Sequence, residues 1–140
     1  MTTYTGWIAG LAAISVTGVA KNFGKAVPQT LLPPQLPAMW VRYPRGDQMP
    51  IVAEGGGRFG KTLRAEIVIV VSPCRDGFHA DIVDSVLTMM DNLSSALADN
   101  EPALSKNNWS IRPGVLRRTG ATESETIDYD AVFADVSATG

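Results

Sequence analysis

One cysteine, Cys74, and one histidine, His79, are all that the 140 residues contain of either type. A lone cysteine cannot close an internal disulfide, which makes a reducing compartment the simpler expectation. One Cys and one His, with no second pair at ligand spacing, form no metal-binding set, and no metal is expected. No charged residue precedes Lys21. The apolar run YTGWIAGLAAISVTGVA therefore lacks the cationic segment that opens a signal peptide. It is also shorter and more diluted by Gly, Ser and Thr than the ~20 apolar residues of a membrane span. Its GxxxG, Gly6 and Gly10, carries meaning only inside such a span. A soluble helix is the expectation, with a membrane anchor at residues 4–20 as an alternative. Charge of one sign is missing too: 12 basic residues stand against 14 acidic ones, net −2, which excludes strong bulk attraction to nucleic acid.

What is present is an ordinary globular composition, 45% apolar and 19% charged, on a chain of single-domain length. A first helix is expected at about 4–22, with Trp7, Leu11, Ile14 and Gly18 on one stripe, Ile8, Ala12 and Val19 beside it, and Gly24 near its end. Pro28, Pro33, Pro34 and Pro37 make residues 27–38 an extended crossing. Pro34 to Pro37 also match PxxP, but a connector is the plainer explanation. MWVRY predicts a strand at about 39–43. Leu63, Ala65, Ile67, Ile69 and Val71 alternate onto one face and Val68 and Val70 onto the other, which predicts a strand at about 61–71 buried on both sides. Ile82, Val86, Met89 or Met90, Leu93 and Leu97 fall at helical spacing over about 79–99, with Asp81, Asp84, Asp91, Asn92 and Ser95 opposite. Two strands, about 109–118 and 125–136, form a terminal hairpin; Ile127, Tyr129, Ala131 and Phe133 share a face that Asp128 and Asp130 do not. The order predicts a single α+β domain: a mixed or antiparallel sheet of four to five strands with two helices packed on one face.

Several short strings suggest chemistry. GGGRFGKT, residues 55–62, satisfies the phosphate-loop pattern at Gly55, Gly60, Lys61 and Thr62. A working loop needs a helix opening at Lys61-Thr62, because the helix N-terminus completes the ring of N–H donors around the phosphates. The residues that follow read as a strand, so a glycine-rich tip at 53–60 is expected rather than a nucleotide site. Cys74, His79 and Asp81 lie close in sequence at one strand-to-helix junction, whereas nucleophile sets gather from distant segments. Asp81, Asp84 and Asp91 read as the solvated side of the helix, and Arg45-Gly46-Asp47 as a turn. No catalytic residue and no cofactor are expected.

The remaining signals are those of an assembly protein. Trp40 and Trp109 sit on short strands beside arginines, residue types favoured in interface anchors. Arg42, Arg58, Lys61, Arg64, Arg112, Arg117 and Arg118 supply cations; Glu125, Asp128 and Asp130 supply acids on the last strand. If the hairpin arms pair about their turn, Arg118 lies near Glu125, and basic and acidic arms fix the register. All twelve are candidate subunit or partner interface residues.

The helix, the proline-rich crossing into a short strand (LPAMWVRYPRG), the strand section GKTLRAEIVIVVSP, the long helix and the terminal strand pair together resemble the tail terminator proteins of long-tailed bacteriophages. The likeness spans residues 5 to 136 and is one of length and element order. It implies a virion protein, assembled in the host cytoplasm, that forms a homo-oligomeric ring, hexameric in that family. Such a ring caps the tail tube, ends its polymerisation and joins the tail to the head-tail connector protein. Its partners would be other copies of itself, the tail tube protein and the connector, with DNA passing through the lumen without sequence-specific contact and no membrane involved. The alternatives are a small nucleotide-binding enzyme using Gly55 to Thr62 and a protein anchored to a membrane by residues 4–20.

Overall fold

The computed structural model describes residues 4–28, 31, 33–42, 62–73, 80–99, 107–119 and 126–139. Two helices, α1 (Tyr4–Ala12) and α2 (Ala80–Asp99), join five strands: β1 (Lys21–Asn22), β2 (Ala38–Arg42), β3 (Thr62–Pro73), β4 (Asn107–Thr119) and β5 (Thr126–Thr139). The strands form one sheet in the order β1-β2-β3-β5-β4. β1 runs parallel to β2 and every other pairing is antiparallel, so the sheet is mixed. The fold is the α+β single domain that the sequence predicts.

The strand pattern explains the layers. On β3, Leu63, Ala65, Ile67, Ile69 and Val71 turn to one face and meet Trp7 and Leu11 of α1 and Val86, Met89, Leu93 and Leu97 of α2. Both helices therefore pack on the same face. Val68 and Val70 turn the other way and join Ala38, Trp40 and Tyr129 in a second, smaller cluster. That cluster is closed by Phe23, just after β1, and by Leu31 and Leu36 from the proline-rich crossing. The prolines thus lay a strap across the sheet's second face. They do so partly through a short 3₁₀ turn at Pro33–Gln35, where a fully extended path was expected.

The first helix is a correction. It ends at Ala12, not near residue 22. Ile14, Val16 and Thr17 are β-branched and lose side-chain freedom in a helix. Here Ile14 and Val16 are buried while Ser15 and Thr17 are exposed, the period-two pattern of extended chain. Gly18 then takes φ +93°, a left-handed conformation that suits glycine. The chain turns there and enters β1, which no sequence signal announced. Gly24, expected near the helix end, instead occupies the turn after β1 at φ +68°. Its carbonyl accepts from Val41 N–H at 2.8 Å and so continues the edge that β1 begins. Asn22 finishes the arrangement by donating from its side-chain amide to the carbonyl of Ala12, the last residue of α1, at 2.8 Å.

The strand after the glycine-rich stretch opens at Thr62. The backbone beyond Lys61 is therefore extended, and the helix N-terminus that a phosphate loop requires is not built there.

Candidate subunit interface

The sheet ends on β4, a strand of 13 residues (Asn107–Thr119) whose only partner among the described residues is β5. Pro113 sits mid-strand; it has no N–H to donate and belongs on an edge. Odd-numbered β4 residues face the helices: Trp109 and Ile111 pack against the helix-side core. Val115 lies on that same face and is 58% exposed. On α2, Leu87 is 50% exposed. With Val27, these are the large apolar side chains left exposed among the described residues.

The hairpin charges are largely satisfied inside one chain. Arg117 lies directly opposite Asp128, with Nε donating to the carboxylate at 2.8 Å. Those hydrogen bonds hold the Asp128 carboxyl below its ordinary range and raise the Arg117 guanidinium. Further along, Arg42, Glu66, Asp135 and Arg112 line up across β2, β3, β5 and β4. Arg42 contacts Glu66 at 2.5 Å; Arg112 lies 2.6 Å from Asp135 and 3.8 Å from Glu66. This row of two cations and two carboxylates lies on the strap side of the sheet and borders the second apolar cluster, where Arg112 stands over the Phe133 ring. Beside it, Arg64, Asn108, Ser110, Asp135 and Ser137 line an open cleft of about 420 Å³.

Several expected roles change. Trp40 is 1% exposed and belongs to the second core, so it cannot anchor a neighbour. Arg118 pairs in register with Ile127, and Glu125, expected beside it, lies outside the described residues. Its guanidinium lies 5.6 Å from the Trp40 ring centroid and donates to the Pro28 carbonyl, tying the strap to the hairpin. Desolvation there lowers the Arg118 pKa from its ordinary value. Trp40 Nε1 and Arg118 Nη1 are both buried without an acceptor among the described residues. Trp109 is half-buried against the helix-side core. Asp130, opposite Val115, is partly buried and faces the helix side with Asp128. Arg58, Lys61 and Glu125 lie outside the described residues, as do Cys74, His79 and the 53–60 stretch.

Sequence reasoning missed the flanks. Lys21 and Lys25 are exposed on the β1 edge and Val27 is 49% exposed beside them. Asp84 and Asp91 are exposed on α2. Among the described residues, none of these four charges enters an ion pair. The signal that was available is the composition of α2, which has four aspartates and no Lys or Arg. No helix among the described residues is long and apolar enough to cross a membrane. No protein-family model and no curated protein matches this chain.

Proposed function

We propose that this chain is a structural subunit that closes into a homo-oligomeric ring, of the kind that ends and caps a phage tail tube and joins it to the head connector. The observation that carries the reading is the β4 edge: 13 residues of strand whose outer side has no strand partner among the described residues, next to exposed Val115. An edge of that length is a template for pairing unless it is shortened, bulged, covered or blunted by proline and charge, and Pro113 removes a donor at one position of it. A subunit that offers one surface to a different surface on its neighbour builds a ring when the rotation closes. The element order is the one that carries the resemblance to tail terminators, and the sheet with two helices on one face agrees with it. The extended backbone from Thr62 weighs against the nucleotide-binding alternative.

The test is the mass of the purified chain by mass photometry and light scattering, alone and with isolated tail tubes, followed by electron microscopy. A closed species near six times the 14.9 kDa subunit mass, seated on tube ends, is expected. A strict monomer under both conditions overturns the reading. Saturable nucleotide binding that Lys61→Ala abolishes would support the enzyme alternative instead.

A further inference from the structure

We infer that Pro113 is a specificity-determining residue for strand pairing: it stands on the outward backbone row of β4 and keeps two copies of the chain from joining β4 to β4. The inference goes beyond the ring reading and holds whether or not a ring forms.

The direction of the β4 backbone follows from the opposite edge of the sheet. Phe23 N–H donates to the Met39 carbonyl and Val41 N–H to the Gly24 carbonyl, both at 2.8 Å. The odd-numbered residues of β2 therefore turn their backbone groups toward β1. Along a strand, successive residues bond to opposite neighbours. Ala38, Trp40 and Arg42 are thus the residues that bond to β3, opposite Val70, Val68 and Glu66. On β3, Ala65, Ile67 and Ile69 are left to bond to β5, opposite Val136, Ala134 and Val132. On β5, Ala131, Phe133 and Asp135 are left to bond to β4, opposite Gly114, Arg112 and Ser110. The backbone groups of Trp109, Ile111, Pro113, Val115 and Arg117 consequently point away from β5. The N–H that Pro113 lacks is an outward one, and the inner ladder loses nothing by it.

Pro113 is the middle residue of β4 (Asn107–Thr119), and its position matters because the strand is otherwise complementary to itself. The side chains of the outward row face the helix side, where Trp109 and Ile111 are half-buried and Val115 is 58% exposed. Two antiparallel copies of β4 centred on residue 113 would set Ile111 against Val115 and Trp109 against Arg117, an apolar pair and a cation beside an aromatic ring. Pro113 spoils that register at its centre. Both copies lack a donor there, and the pyrrolidine carbon on each nitrogen takes the place of the hydrogen and holds the facing backbone off. A shifted register meets the same obstacle, since each copy brings its own proline. An uninterrupted β4 would join copies two by two or invite aggregation, and a proline in the outward row guards against both.

Two measurements on the full-length chain test this. In the dilute, unassembled wild type, amide hydrogen exchange should alternate along β4, with Trp109, Ile111, Val115 and Arg117 at least about tenfold faster than Ser110, Arg112, Gly114 and Leu116. Pro113→Val should keep the fold by circular dichroism and strengthen self-association at least about tenfold in mass photometry and light scattering, because the outward donors return. The outward amides should be protected in the associated species. Adding Val115→Pro to that variant puts a gap back and should return association to the wild-type level. Should Pro113→Val not fold, Pro113→Ala, which also restores the donor, takes its place. Equal protection of both amide sets in the unassembled wild type overturns the inference, because the row is then covered or turned inward. A donor-restored variant that associates no more than the wild type, or one that associates while the outward amides stay fast, overturns it as well.

Discussion

Gly114 shows how tightly a single residue can constrain the long hairpin. A methyl group added at its Cα would lie 2.7 Å from the Phe133 ring, which packs over the glycine. The Arg112 guanidinium also lies 5.5 Å from the Phe133 ring centroid. Gly114→Ala is therefore expected to push the ring out of place and cost about 1–3 kcal/mol, the usual range for overpacking. A urea titration followed by near-ultraviolet circular dichroism would show a lower midpoint, and an unchanged midpoint would mean the ring moves freely. Asp128 gives a residue-scale dependence on pH. Its carboxyl titrates below the ordinary range when folded because Arg117 hydrogen-bonds to it. A depressed folded pKa stabilises the fold above the unfolded pKa, and that contribution is lost as pH falls through the folded one. Asp128→Asn should flatten part of the acid limb of the stability profile and leave the alkaline side unchanged.

At the scale of elements, α2 and β3 were legible because their patterns are long and internally consistent. Twenty residues at helical spacing and an alternating Ile/Val run each admit one reading. The observed bounds, Ala80–Asp99 and Thr62–Pro73, fall close to those expected. α1 was overextended because Ile14 and Gly18 fit a helical stripe by spacing alone. The competing signals, β-branched residues and a glycine in left-handed geometry, act locally and decide the chain's path after Ala12. The pairing Arg117–Asp128 was legible in kind but not in register, because charge pattern alone does not distinguish a shift of a few residues across a turn. The flank charges were not legible at all: whether a lysine or aspartate is already paired depends on which strands become neighbours. Gly18 carries the element-scale prediction. With φ +93° and Met89 Cε 3.3 Å from an added Cβ, Gly18→Ala should cost about 1–3 kcal/mol through backbone strain. Increased hydrogen exchange should then be confined to the Asn92–Thr17 junction and β1. Equal loosening across β3 and β5 would show that the turn is not a local device.

For the whole molecule, the sheet has two faces of unequal strength. The helix side buries Trp7, Leu11, Ile67, Ile69, Leu93 and Val132 in one continuous cluster; the strap side buries a smaller set around Trp40 and Val68. Leu93 is fully buried at the centre of the larger layer, and Leu93→Ala is expected to lower global stability by about 2–5 kcal/mol. The strap side depends on a tie between distant parts of the chain. Arg118, near the end of β4, reaches the Pro28 carbonyl and the Trp40 ring, linking hairpin, strap and β2. Replacing Arg118 with alanine removes a charge-assisted hydrogen bond and a cation–π contact, for which a loss of about 1–3 kcal/mol is reasonable. If the two faces open independently, native-state hydrogen exchange in Arg118→Ala should accelerate in residues 20–28 and 38–42 while the amides of α2 keep their protection. Uniform acceleration through α2 would instead mean that the strap and the helical layer unfold as one unit.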